Sequence, residues 1–98
     1  MVQPIRLALV GAGIFAREAH VPAINALGDR FEIAAVYSRT RESAEQLLPL
    51  LPNRAEIYTD LAAVLQRDDI EAVNLILPID MLPAAVDMAL AAGKQVIS

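Results

Sequence analysis

From Ile5 to Val10 the chain reads IRLALV, a mostly apolar run that stops at Gly11. A short run without polar alternation is the pattern of a strand covered on both faces, as in a parallel sheet. A helical pattern follows. With Ala16 placed at zero on a wheel of about 100° per residue, His20, Ala23 and Leu27 fall within roughly 40° of it, which predicts a stripe facing the sheet. Pro22 lacks an N–H, so a kink or restart is expected near His20 and Val21, and Gly28 offers a C-terminal stop.

Phe31 to Ser38, FEIAAVYS, is rich in β-formers and predicts a second strand. Thr40 then stands as an N-cap, with Glu42 and Glu45 in the first turns of the next helix. That helix has to end around Pro49 to Pro52, after which Ile57 and Tyr58 sit in a short strand. Asp60 opens a third helix through Gln66. Ala72 to Leu77, AVNLIL, is a second fully buried strand ended by Pro78. An alanine-rich helix from Pro83 to Ala92 follows, capped by Gly93, and Gln95 to Ile97 begins a fifth strand.

Strand and helix thus alternate, with connections that fit right-handed parallel crossovers. The expected fold is α/β: a doubly wound parallel sheet of about five strands, read as incomplete at its C-terminal end. A last strand with no helix after it leaves an edge and apolar surface uncovered, as in part of a larger protein. Neither a repeat nor a linker divides residues 1–98, which read as one unit.

Composition narrows the chemistry. The apolar fraction of 56% excludes disorder. Four aromatics, no Trp and a net charge of −4 leave neither stacking platforms nor a basic field, so nucleic acid is not an expected partner. There is no Cys and a single His, His20, which removes disulfides, thiol nucleophiles and multi-histidine metal sites; no metal is expected. No apolar stretch reaches the roughly 18 residues of a membrane span, so a soluble, cytoplasmic protein is expected.

Directly after the first strand, Gly11-Ala12-Gly13-Ile14-Phe15-Ala16 fits G-x-G-x-x-G/A. In that setting Gly11 allows a tight turn, Gly13 lets the backbone approach a pyrophosphate, and Ala16 lets helix and strand pack closely. The amides near Ile14 and Phe15 then point at the anion. A lone match is weak, because a Gly turn between strand and helix is common; the placement makes it a Rossmann-type dinucleotide site. About 20 residues further on, an acid would grip the ribose 2′-hydroxyl of NAD. Ser38 and Arg39 stand there instead. A carboxylate would repel a 2′-phosphate and a guanidinium clamps one, so the expected cofactor is NADP in preference to NAD, with Arg41 in support. The missing acid also counts against FAD-binding and methyltransferase readings.

Gly11 to Ala16, His20-Val-Pro-Ala23, Val36-Tyr-Ser-Arg39, Tyr58-Thr-Asp60 and Ala92-Gly-Lys-Gln-Val96 together resemble the N-terminal domain of the Gfo/Idh/MocA oxidoreductases. The resemblance covers essentially the whole chain. It implies NAD(P)-dependent oxidation or reduction of sugars, polyols and related compounds. A second, mostly β-sheet domain would supply the substrate floor and often the interface of a homo-oligomer. In the family the fifth strand leads into Glu-Lys-Pro, whose lysine handles the reacting proton; Ser98 stands immediately before that point, and no residue of 1–98 is assigned as catalytic. The family's Thr-Pro after the fourth strand, with a His four residues beyond the Pro, is replaced by Leu77-Pro78 and Leu82. Leu77 and Pro78 are retained as cofactor-site positions without that hydroxyl. His20 is expected to be structural, and Lys94, just past a helix end, to be solvated. The rival expectation is a stand-alone nucleotide-sensing domain that binds without catalysis.

Overall fold

The computed structural model describes residues 4–11, 21–26, 30–51, 54–77 and 79–97. Five parallel strands, β1 (Ile5–Val10), β2 (Phe31–Tyr37), β3 (Glu56–Tyr58), β4 (Ala72–Leu75) and β5 (Gln95–Ile97), form one sheet in the order β3-β2-β1-β4-β5. This is the Rossmann-like doubly wound arrangement expected from the sequence. The chain winds outward from β1 to β3, then crosses back over to β4 and β5. The strand order therefore reverses beside β1, the usual position of a ligand crevice in such sheets.

The helices are α1 (Val21–Ala26), α2 (Arg41–Glu45), α3 (Leu61–Leu65) and α4 (Leu82–Ala91), with a 3-10 turn at Leu48–Leu50. Alternation along the strands splits the core in two. Leu7, Leu9, Ile33 and Val36 pack on one face with Ala44 of α2 and Leu47. Ala8, Val10, Ala35, Val73 and Leu75 pack on the other with Val64 and Leu65 of α3 and Ala85 and Ala89 of α4. Alanine at the helix positions lets the backbones approach the sheet, which is where much of the apolar composition goes. Ala34 is an extra residue in β2: Leu7 pairs with Ile33 but Ala8 pairs with Ala35. Such a bulge increases the local twist of the strand that leads to Ser38.

The expected caps Thr40, Asp60 and Gly93 are present, and Gly28 lies outside the described residues. Thr40 accepts from the Ser43 N–H and Asp60 from the Ala62 N–H, each in an extended backbone conformation that turns the chain into its helix. Gly93 ends α4 with φ +78. Strand ends are shorter than expected: β2 stops at Tyr37 and β4 at Leu75, because the chain leaves the sheet where the crevice begins.

Two expectations need correction. Ala23, placed on the sheet-facing stripe, is exposed. A phase counted from Ala16 presumes one uninterrupted helix, and Pro22 removes a hydrogen bond that would carry it; Ala16, His20 and Leu27 lie outside the described residues. Lys94 is not solvated. It is 9% exposed, and its Nζ donates to the carbonyls of Arg67 at 2.5 Å and Ile70 at 2.7 Å. The short turn after α4 folds its stem under the α3–β4 loop, where two carbonyl oxygens replace water.

Around this lysine, the amino ends of the strands are tied by charge. Arg6 bonds Glu32 at 2.6 Å and Asp69 at 3.1 Å, and Arg67 grips both oxygens of Asp69. The Arg67 hydrogen bond, with help from Arg6, lowers the Asp69 carboxyl from 3.8 to about 2. A depressed native pKa means the pair's stabilisation is complete above about pH 4 and is lost as pH falls toward 2. Both partners meet solvent, so the loss is expected to stay below about 1 kcal/mol. Chemical denaturation across pH 2 to 5 checks this: Asp69→Asn is expected to flatten that limb, and an unchanged limb would assign the acid sensitivity elsewhere.

Candidate functional site: the carboxyl rim of the sheet

The candidate site lies where the carboxyl ends of four strands meet. Ile76 N–H donates to the Val10 carbonyl at 2.8 Å, extending the β1–β4 contact one residue past the strand. Gly11 N–H donates to the Tyr37 carbonyl at 2.8 Å, and Ser38 N–H to the Tyr58 carbonyl at 3.1 Å. Gly11, Ser38 and Ile76 therefore lie on one rim, each fixed by the backbone of a neighbouring strand exit.

Gly11 has φ +112, a conformation closed to residues with a Cβ, and an added Cβ would overlap the Ile76 carbonyl. Absence of a side chain thus lets the chain leave β1 close against β4. Gly13, Ile14, Phe15 and Ala16 of the glycine motif lie outside the described residues, as does Pro78. Leu77 is half-buried and packs with the α3/α4 side of the core. Ile79, just beyond, is 87% exposed.

At the end of β2 the two residues expected to face a ribose differ. Ser38 is buried and fastened to β3 through its backbone, whereas the Arg39 side chain stands in solvent. Neither Ser38 nor Arg39 is acidic, and Asp60 at the β3 exit is already engaged as the cap of α3. Arg41 pairs with Glu45 one turn along α2 at 3.2 Å. Sequence reasoning missed Ile76, whose part is played by its backbone and leaves no residue-type signal. It also passed over the Arg41–Glu45 pair, which the i, i+4 spacing does signal.

A glycine exit with positive φ beside β4 and an exposed Arg39 at the β2 exit fit a dinucleotide site. Fold and rim define a nucleotide-binding Rossmann domain. Residues 5–98 match the family model described as an oxidoreductase family with an NAD-binding Rossmann fold, and the chain belongs to this family, Gfo/Idh/MocA.

Among relatives, dehydrogenase FPY6 of Fusarium mangiferae is 42% identical over 96% of the chain and 29% of its own length. The 4-carboxy-2-hydroxymuconate-6-semialdehyde dehydrogenase of a Sphingobium species is 35% identical over 94% of the chain and 28% of its own length. A crystal structure of an oxidoreductase from Thermotoga maritima superposes with a TM-score of 0.89 at 39% identity, covering 96% of this chain and 29% of that one. The 3-ketoreductase KijD10 from Actinomadura kijaniata, crystallised with NADP and TDP-benzene, superposes with a TM-score of 0.86 at 32% identity, covering 96% and 28%. The chain thus spans less than a third of the length of these relatives. Among the described residues, no helix is long and apolar enough to cross a membrane.

Proposed function

We propose that residues 1–98 form the cofactor-binding domain of an NAD(P)-dependent oxidoreductase acting on a sugar, a polyol or a related compound, with NADP preferred over NAD. The observation that carries the preference is Arg39: an exposed guanidinium at the β2 exit, where neither Ser38 nor Arg39 is a carboxylate that could grip a ribose 2′-hydroxyl. The family and the NADP complex of KijD10 support a nicotinamide dinucleotide. When bound, it supplies a hydride donor or acceptor. In this reading Gly11 allows the tight turn, Gly13 lets the backbone approach the pyrophosphate, the amides near Ile14 and Phe15 serve the anion, and Ala16 allows close helix–strand packing. Ser38 and Arg39 serve the ribose end, and Leu77 and Pro78 are cofactor-site positions after β4. The span of under a third of the relatives supports a second domain that brings the proton carrier, the substrate floor and a homo-oligomer interface.

Arg39→Ala in the complete protein tests the assignment. Hydrogen bonds to charged groups are worth about 1.5 to 3 kcal/mol, so NADP affinity is expected to fall about 10-fold to 150-fold by calorimetric titration, with NAD nearly unchanged. Equal weakening of both cofactors, or of neither, would make Arg39 a bystander and remove the NADP preference.

A further inference from the structure

Two guanidiniums stand near the β2 exit, and the structure treats them differently. Arg39 has no ion pair among the described residues, whereas Arg41 forms an ion pair with Glu45, Nε to Oε1 3.2 Å, along α2. Both partners of that pair are open to solvent, with side chains 66% and 55% exposed. Only Thr40 separates the two arginines, and its extended backbone, φ −125 and ψ 141, makes the turn from the rim into α2. The Thr40 side chain is occupied in holding that turn, by accepting from the Ser43 N–H and donating to the Ser43 hydroxyl at 2.9 Å.

We propose that Glu45 is a specificity-determining residue that acts through Arg41, by competing with the 2′-phosphate of NADP for the Arg41 guanidinium. The inference rests on the reading of the β2 exit as a 2′-phosphate site. Its physical basis is a difference in strength. A solvent-exposed i, i+4 pair shifts an equilibrium only about two-fold, whereas a guanidinium gripping a phosphate in two parallel bonds shifts it ten-fold or more. Arg41 therefore leaves Glu45 when a dianionic phosphate arrives. Two costs go with the move: the surface pair is broken, and the Glu45 carboxylate is left unneutralised beside a new negative charge. NAD brings no 2′-phosphate and incurs neither. Glu45 thus lowers affinity for NADP alone, restraining a preference that Arg39 establishes. Glu42 lies in the first turn of the same helix and adds a background negative field, but it has no ion pair among the described residues that binding would break.

The test is a double-mutant cycle on the complete protein, with NADP and NAD dissociation constants measured by titration calorimetry at low and high salt. Glu45→Gln removes the charge at an exposed position without disturbing the core. It is expected to tighten NADP binding about two- to three-fold at low salt, to leave NAD unchanged, and to lose its effect at about 1 M salt, where screening acts over roughly 3 Å. In an Arg41→Ala background the same substitution is expected to lose most of that gain. An unchanged NADP affinity, an equal change for both cofactors, or a full effect without Arg41 would each overturn the role of Glu45. Arg39→Ala separates this failure from that of the site itself: a selective NADP loss in Arg39→Ala with no response to Glu45→Gln leaves the phosphate site standing and removes only the competition.

Discussion

Replacing Gly11 with alanine is expected to destabilise the domain by several kcal/mol, and replacing it with valine to prevent folding. Two effects act at one backbone position. At φ +112 a residue with a Cβ incurs about 1 to 3 kcal/mol of strain. The new Cβ would also overlap the Ile76 carbonyl, which cannot retreat freely, because the Ile76 N–H is bonded to the Val10 carbonyl at 2.8 Å. Relief requires parting the exits of β1, the central strand, and its neighbour β4. Since a domain of this size has about 5 to 15 kcal/mol in hand, the alanine variant is expected to be near the limit of folding. Gly93 provides the control. It also has a positive φ, +78, but nothing lies within 4 Å of an added Cβ, so Gly93→Ala is expected to cost only the strain, about 1 kcal/mol. Urea denaturation of the two variants checks the contrast. Equal, small losses would mean that the β1–β4 exit relaxes around the extra carbon.

The strands were legible as unbroken apolar runs, β1 ending sharply at Gly11, whereas the AVNLIL run overstated β4, which leaves the sheet after Leu75. Thr40 and Asp60 were legible as caps because capping depends on local side-chain chemistry. Spatial relations between distant backbone atoms were not. The overlap at Gly11 involves the Ile76 carbonyl, and the burial of Lys94 depends on carbonyls of residues 24 and 27 positions away. A carbonyl is common to every residue, so neither relation marks the sequence. The phase error at Ala23 has a different origin, a helical wheel extended across a proline. At the rim, the identities of Ser38 and Arg39 carried the chemistry, but which of them stands in solvent depends on the backbone bond from Ser38 to Tyr58.

Lys94→Met is expected to lower the stability of the domain by about 2 to 3 kcal/mol, which for a chain of this length moves Tm by about 10 °C or more. Methionine keeps the buried apolar stem and removes the ammonium, so the change isolates the two hydrogen bonds. The Ile70 carbonyl loses a charge-assisted partner, while Arg67 keeps a weaker one from the Ile70 N–H at 3.4 Å. Relief from burying a charge offsets part of this loss, which keeps the figure below that of two full bonds. The damage is expected to be local in origin, since Ile70 and Glu71 lead directly into β4 and Gln95 N–H donates to the Glu71 carbonyl at 3.0 Å. Hydrogen exchange should therefore show β5 and the start of β4 opening first, while β2 and β3 keep their protection. Lys94→Arg is not expected to rescue, because a planar fork does not fit where a compact ammonium meets two carbonyls. A methionine variant that melts with the parent, or that loosens all five strands together, would show that the buried ammonium does not brace the β4–β5 edge.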